Sequence, residues 1–202
     1  MYRSISTLFL LLASAASWGQ ATIGFDLSGG DTFTTGETVT LNLDGSGWTS
    51  QNLAGGGLDL VISNSSVFTL ESVTVNTSVF DVPFGNCGPS GACASTASGA
   101  TNIDFGAFLN PAATGTFDIA SFQFLASTTG TASLDLSADC SCNFSNAAGT
   151  QLVQGVDFNL QNANVTVAPA MVAPVPEPPV VWLLASAAAV GFLMRRRLAA
   201  RI

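Results

Sequence analysis

The chain of 202 residues has no histidine, and its only basic residues are Arg3 near the start and Arg195, Arg196, Arg197 and Arg201 near the end. Between Ala21 and Ala170 there are 12 carboxylates and neither Lys nor Arg, a formal charge of -12. A nucleic-acid partner is excluded for this stretch, because phosphate recognition rests on clustered Lys and Arg. The same absence removes lysine Schiff bases, histidine general bases and every Ser-His or Cys-His pair. The stretch also lacks any apolar pattern with a helical period. What it has instead is hydroxyl side chains: 36 of its 150 residues are Ser or Thr.

The two ends read as targeting segments. Arg3 supplies a positive n-region, Leu8 to Ala13 begins an apolar h-region, and small residues follow as far as Ala21, the pattern of a secretory signal peptide over residues 1–21. Cleavage fits after Ser17, Gly19 or Ala21. At the other end, residues 169–179 form a proline-rich linker that includes Pro174, Pro176, Pro178 and Pro179, where fixed φ angles bar helix. Residues 180–194 are fifteen positions without a charge, read as a transmembrane helix. At a helical rise this run spans roughly 23 Å, less than a hydrocarbon core of about 30 Å, which suits a temporary anchor. The basic tail, 195–202, stays cytoplasmic by the positive-inside rule, with Arg195, Arg196 and Arg197 setting the orientation.

Val175-Pro176-Glu177-Pro178, the apolar run and the three arginines, in that order, resemble a PEP-CTERM sorting signal, the tripartite tail of exported proteins in Gram-negative bacteria that make exopolysaccharide. The resemblance implies that an exosortase, a membrane-embedded cysteine transpeptidase, recognises Pro176, Glu177 and Pro178, cuts near them, and releases the chain to the cell surface or extracellular matrix.

Residues 22–168 read as an all-β ectodomain. Val39, Leu41 and Leu43 alternate with Thr38, Thr40 and Asn42, which places one face in a core and the other in water. Similar runs recur between Gly, Asn and Asp turns, giving about eight or nine strands and a two-sheet antiparallel sandwich of jelly-roll type. Phe25, Phe33, Phe68, Phe80, Phe105, Phe108, Phe117, Phe122, Phe124 and Phe158 supply the expected core. Trp48 stands apart, because Asp44-Gly45-Ser46-Gly47-Trp48-Thr49 reads as a turn-rich loop. An exposed tryptophan there would stack on a sugar face, making Trp48 the candidate ligand contact, whereas a buried one would cap the core.

The strand order resembles that of a cohesin-like domain. The likeness runs through Gly36 to Leu43, Gly57 to Ile62 with Val67 to Val73, Ile119 to Phe124 with Gly130 to Leu134, and a closing strand within Gly155 to Val167. Where cohesins carry a Tyr-Asp-Pro turn, this chain has Ser63-Asn64-Ser65-Ser66. The resemblance implies a binding module whose partner is a dockerin-like protein.

Cys87, Cys93, Cys140 and Cys142 lie in the exported segment, where disulfides are the default. Four thiolates could instead bind zinc, but C-x5-C and C-x-C are not knuckle spacings, and no metal or other cofactor is expected. Three connectivities are open from the residues alone. Cohesin topology would put the two pairs at opposite ends of the sandwich, which implies local bonds, Cys87 to Cys93 first.

The carboxylate pairs close in sequence are Asp135 with Asp139 and Asp26 with Asp31. They carry the alternative to a binding module: a carbohydrate-active enzyme working on exopolysaccharide through two facing aspartates. Glycosidase chemistry needs those acids to face one another, which spacing along a chain does not establish. The expectation is a non-catalytic exported protein, retained at the surface and binding protein or carbohydrate through one sheet face.

Overall fold

Twelve strands form in chain order: β1 (Ala21–Phe25), β2 (Thr32–Thr34), β3 (Thr38–Leu53), β4 (Gly55–Ile62), β5 (Phe68–Val75), β6 (Val82–Gly85), β7 (Ala92–Cys93), β8 (Gly99–Gly106), β9 (Ala113–Ala126), β10 (Gly130–Ala138), β11 (Phe158–Gln161) and β12 (Ala163–Ala168). The computed structural model describes residues 20–139 and 143–171, and among these there is no helix. Residues 1–19 of the expected signal peptide, Cys140, Cys142, Pro176, Glu177, Pro178, the apolar run 180–194 and Arg195, Arg196 and Arg197 lie outside the described residues. The chain divides into two units, Met1–Pro169 and Ala170–Ile202, and the strands lie in the first.

The strands make two six-stranded sheets, ordered β11-β1-β3-β9-β5-β7 and β2-β12-β10-β4-β8-β6, so the expected all-β sandwich is the observed fold. The count exceeds eight or nine because β2, β6, β7 and β11 have four residues or fewer, too short for alternation to show. Pairing is antiparallel except at β1 with β11 and β12 with β2, which are parallel.

Alternation fixes which face each strand buries. Along β3, Val39, Leu41 and Leu43 are buried while Thr38, Thr40 and Asn42 are exposed. The inward side chains of the two sheets meet in a core whose largest members are Trp48, Phe68, Phe80, Phe105, Phe122, Phe124 and Phe158, each less than 2 % exposed. Burying such side chains is worth about 1.5–3 kcal/mol each, and ring pairs add about 0.5–1.5 kcal/mol. Phe33, Phe68, Phe124 and Phe122 form a stack with successive centroid distances of 5.6, 4.6 and 6.2 Å. Phe25 closes it edge-on at 5.2 Å from Phe122.

Two of the expected aromatic positions are corrected. Phe108 is not core; it stands 77 % exposed beyond the end of β8. Trp48 is not an exposed ligand contact, since its side chain is completely buried. The run Asp44 to Thr49 is not a loop but the middle of β3, where the register against β9 shifts between Leu43 and Asp44, between Gly45 and Trp48, and again between Trp48 and Leu53. These bulges turn the strand and aim Trp48 inward. Its indole packs 5.9 Å from Phe158 and 6.0 Å from Phe117, and Nε1 donates to the Thr22 carbonyl. Gly45 makes room for it, because a Cβ there would lie 2.5 Å from the Phe117 ring and 3.1 Å from Trp48 Nε1.

Cys87 and Cys93 form a disulfide across the turn that carries the chain from β6, an edge of one sheet, to β7, an edge of the other. Backbone bonds from Gly88 N to Ala92 O and from Gly91 N to Gly88 O shape the enclosed loop.

The corrected place of Trp48 has a direct consequence. In a chain with Trp18 and Trp182 replaced by Phe, Trp48 emission is expected to be blue-shifted and shielded from iodide until the protein unfolds. Trp48→Ala is expected to cost about 3–5 kcal/mol in urea denaturation.

Candidate functional site

Folding brings together carboxylates that are far apart in sequence. On the outer face of the sheet containing β4, β8 and β10, Gly57 pairs with Asp104, Asp104 pairs with Phe84 on β6, and Asp139, just past β10, donates its N–H to the Gly57 carbonyl. Directly opposite residues share a face, so Asp139, Gly57, Asp104 and Phe84 make one row across four adjacent segments of the sheet. Asp59, two residues beyond Gly57, points the same way and accepts the N–H of Asn102. Asn102 is the non-glycine residue with positive φ, 52°, among the described residues.

Asp104 is 4 % exposed and Asp139 6 %, which is unusual for carboxylates. Burial, then the nearby Asp139 and Asp59, hold the Asp104 carboxyl above the ordinary carboxylate range. Gly85 has a positive φ of 65°, and a side chain there would collide with Asp104 Oδ2. Asp104 Oδ1 has no hydrogen-bond partner among the described residues. A groove of about 360 Å3 on the same sheet is lined by Leu60, Val61, Asn86, Thr96 and Thr101.

A second acidic group lies on the other sheet. Asp44 on β3 pairs across from Asp118 on β9 and from Gly24 on β1, with Asp26 just beyond the end of β1. Burial comes first, then the charge of Asp118 and that of Asp26, in pushing the Asp44 carboxyl up to about 6; a hydrogen bond with Asp118 acts in the same direction. Asp44 Oδ1 is likewise unpartnered among the described residues. Asp26 behaves differently, because the N–H and hydroxyl of Ser28 both donate to it and hold it below the ordinary range. A depression of about 180 Å3 here is lined by Thr22, Asp26, Asp44, Ser46, Thr116 and Gln161.

The pairs read from sequence proximity are not what the fold assembles. Asp135 accepts from Ser133 on its own strand. Four residues of extended chain separate its Cα from that of Asp139 by about 13 Å. Asp31 is bonded by the Thr32 hydroxyl, and Asp26 turns to Ser28. The fold therefore regroups the acids as Asp104 with Asp139 and Asp59, and Asp44 with Asp118 and Asp26. Nothing local signals those groupings, since the three members of each come from three different strands or strand ends. Among the described residues no three Asp, Glu, Cys or His side chains converge to hold a metal ion.

Asp81, which the sequence did not single out, braces a loop. Its carboxylate accepts the backbone N–H of Phe108, Leu109 and Asn110 at 2.8, 2.9 and 3.1 Å. Burial opposes the effect, but these N–H groups hold the Asp81 carboxyl below the ordinary range.

No protein-family model matches this chain, and no curated protein matches it. Solved structures do. The seventh ScaB type I cohesin of Pseudobacteroides cellulosolvens is 14 % identical, with a TM-score of 0.51 over 78 % of this chain and 97 % of that one. The sandwich has the cohesin fold. The OlpA cohesin of Clostridium thermocellum, in complex with a dockerin, is 8 % identical with a TM-score of 0.53, covering 74 % of this chain and 99 % of that one. A cohesin module from a family 33 glycoside hydrolase of Clostridium perfringens is 14 % identical with a TM-score of 0.52, over 74 % of this chain and 96 % of that one. The cohesin fold thus accounts for nearly the whole length of these modules and for the strand order read from the sequence.

The Asp44 environment sets a pH dependence. Its folded-state carboxyl binds a proton up to about pH 6, whereas the unfolded group releases it near its ordinary value of 3.8. Folding therefore takes up a proton between those values, so this group's contribution to stability falls as pH rises through the window and is fully lost above about 6. Asp44→Asn is expected to flatten that slope and, after allowing for solvent screening, to raise stability at pH 7.5 by on the order of 1 kcal/mol. Urea midpoints measured from pH 4 to 8 for the two proteins check this; equal slopes would contradict it.

Proposed function

We propose that this chain is a non-catalytic exported protein whose cohesin-fold sandwich binds a protein partner at the cell surface or in an exopolysaccharide matrix. The observation that carries the reading is the fold itself, matched along 96–99 % of the length of cohesin modules, one of them in complex with a dockerin. A dockerin-like protein is therefore the partner class. The absence of Lys, Arg and His between Ala21 and Ala170 supports the non-catalytic reading, because sugar-processing clefts usually combine acids with such hydrogen-bonding cations.

Delivery rests on the two ends of the sequence. A signal peptide over residues 1–21 directs export, and the tail holds the chain at the inner membrane until an exosortase acts at Pro176-Glu177-Pro178. The exopolysaccharide then surrounds the released sandwich.

Two measurements test the proposal. Glu177→Ala leaves the apolar run and the arginines intact, so membrane anchoring should persist while processing stops and the chain accumulates in the membrane fraction. Unchanged processing, or a mature chain that still carries Trp182, would remove the sorting step. For binding, the native chain recovered from matrix under mild crosslinking should carry a stoichiometric protein partner. Recovery with polysaccharide alone would overturn the protein-binding assignment.

A further inference from the structure

Beyond the end of β8 the chain displays two large apolar side chains to solvent: Phe108 is 77 % exposed and Leu109 is 91 % exposed. They are not on a slack loop. Besides the three N–H groups held by Asp81, the Asn110 amide donates to the carbonyls of Ser78 and Val79, and Ala107 N donates to Ala54 O at 2.7 Å. Phe84 extends the patch, since the space a side chain on Gly106 would take is bounded by the rings of Phe108 and Phe84 at 3.1 and 3.3 Å. A braced backbone that holds Phe and Leu in water forgoes their burial on folding, and contiguous exposed apolar groups of this kind mark interaction sites. Bracing also lowers the ordering cost of association.

The loop's own chemistry narrows the occupant. Polar side chains beside the rings are already engaged: both Asp81 oxygens accept backbone N–H groups, and the Asn110 amide nitrogen donates to two carbonyls. Asp81 and the Asn110 NH2 group are thus committed to the chain's own backbone, which leaves the apolar side chains as the loop's most exposed surface, whereas a carbohydrate platform sets free polar groups beside a ring to orient sugar hydroxyls. An anionic membrane is repelled by a stretch carrying -12, and so is a second copy of the chain. The occupant that fits is a concave apolar pocket on another protein, rimmed by Lys or Arg.

We infer that the Asp81-braced loop bearing Phe108 and Leu109, with Phe84 beside it, is the knob by which this sandwich seats in an apolar, basic-rimmed pocket of a protein partner. This rests on the protein-binding reading above and assigns it a surface. Aromatic anchors of this kind carry a disproportionate share of interface energy.

The test uses the full chain in the organism that makes it, with a benzophenone amino acid placed at Phe108 in one version and at Val61, 53 % exposed in the groove of the same sheet, in another. The expected result is a crosslink from position 108 to a protein segment with apolar residues flanked by Lys or Arg, weakened by added salt. In that background Leu109→Ser should lower the yield at least ten-fold with no change in thermal midpoint, since Leu109 contributes almost no burial. Asp81→Asn, which weakens the brace and leaves the apolar side chains in place, should lower it as well. A crosslink at 61 but not at 108 would overturn the knob and leave protein binding standing, and no protein crosslink at either position would overturn both. Crosslinks from 108 only to lipid, polysaccharide or a second copy would also overturn it.

Discussion

With no cation between Ala21 and Ala170, a carboxylate of the sandwich that gives up contact with water is satisfied by backbone N–H groups, by other polar side chains or by a proton, never by an ion pair within this stretch. That constraint organises the turns. Asp26 takes Ser28, Glu37 takes the N–H of Thr34, Asp157 takes that of Val153, and Asp59 that of Asn102. Asp81 takes three N–H groups at once. Each such bond substitutes for an ion pair, and a charge-assisted bond to backbone also fixes the local chain path. Where the supply of donors runs out, at Asp44 and Asp104, an oxygen is left unpartnered among the described residues and the carboxyl moves toward its protonated form.

The core obeys a different limit. Two sheets of mostly short strands need large side chains between them, and rings fill the gap. The stack from Phe33 through Phe68 and Phe124 to Phe122 ties strands of both sheets, while Trp48, Phe158 and Phe144 close another part of it, with Phe144 and Phe158 centroids 4.5 Å apart. Glycine permits this packing where a ring lies against backbone: besides Gly45, a Cβ on Gly56 would meet the Phe144 ring at 2.5 Å.

Function follows from what remains outside. The braced loop with Phe108 and Leu109 spends hydrogen bonds on holding apolar groups in water, the reverse of what folding alone would favour. A chain that carries -12 between Ala21 and Ala170 and presents such a loop is suited to a partner of opposite charge, with long-range attraction aiding encounter and apolar contact fixing the complex.

Much of this was legible in the residues. The alternation at Val39, Leu41 and Leu43, the hydroxyl-rich composition and the missing helical period determined a two-sheet sandwich, and the order of its strands carried the resemblance to cohesins. The local spacing of Cys87 and Cys93 allowed their bond. Tertiary structure alone decided three things. Bulges turned the polar, Gly-rich run around Trp48 into a strand and the tryptophan inward, because a glycine-rich sequence is equally compatible with a turn and with close packing under a ring. Cross-strand register, a non-local property, chose Asp118 as the neighbour of Asp44 and Asp139 as the neighbour of Asp104. And Phe108, apolar like the core around it, was left outside because Asp81 holds its backbone where the sheet has already ended.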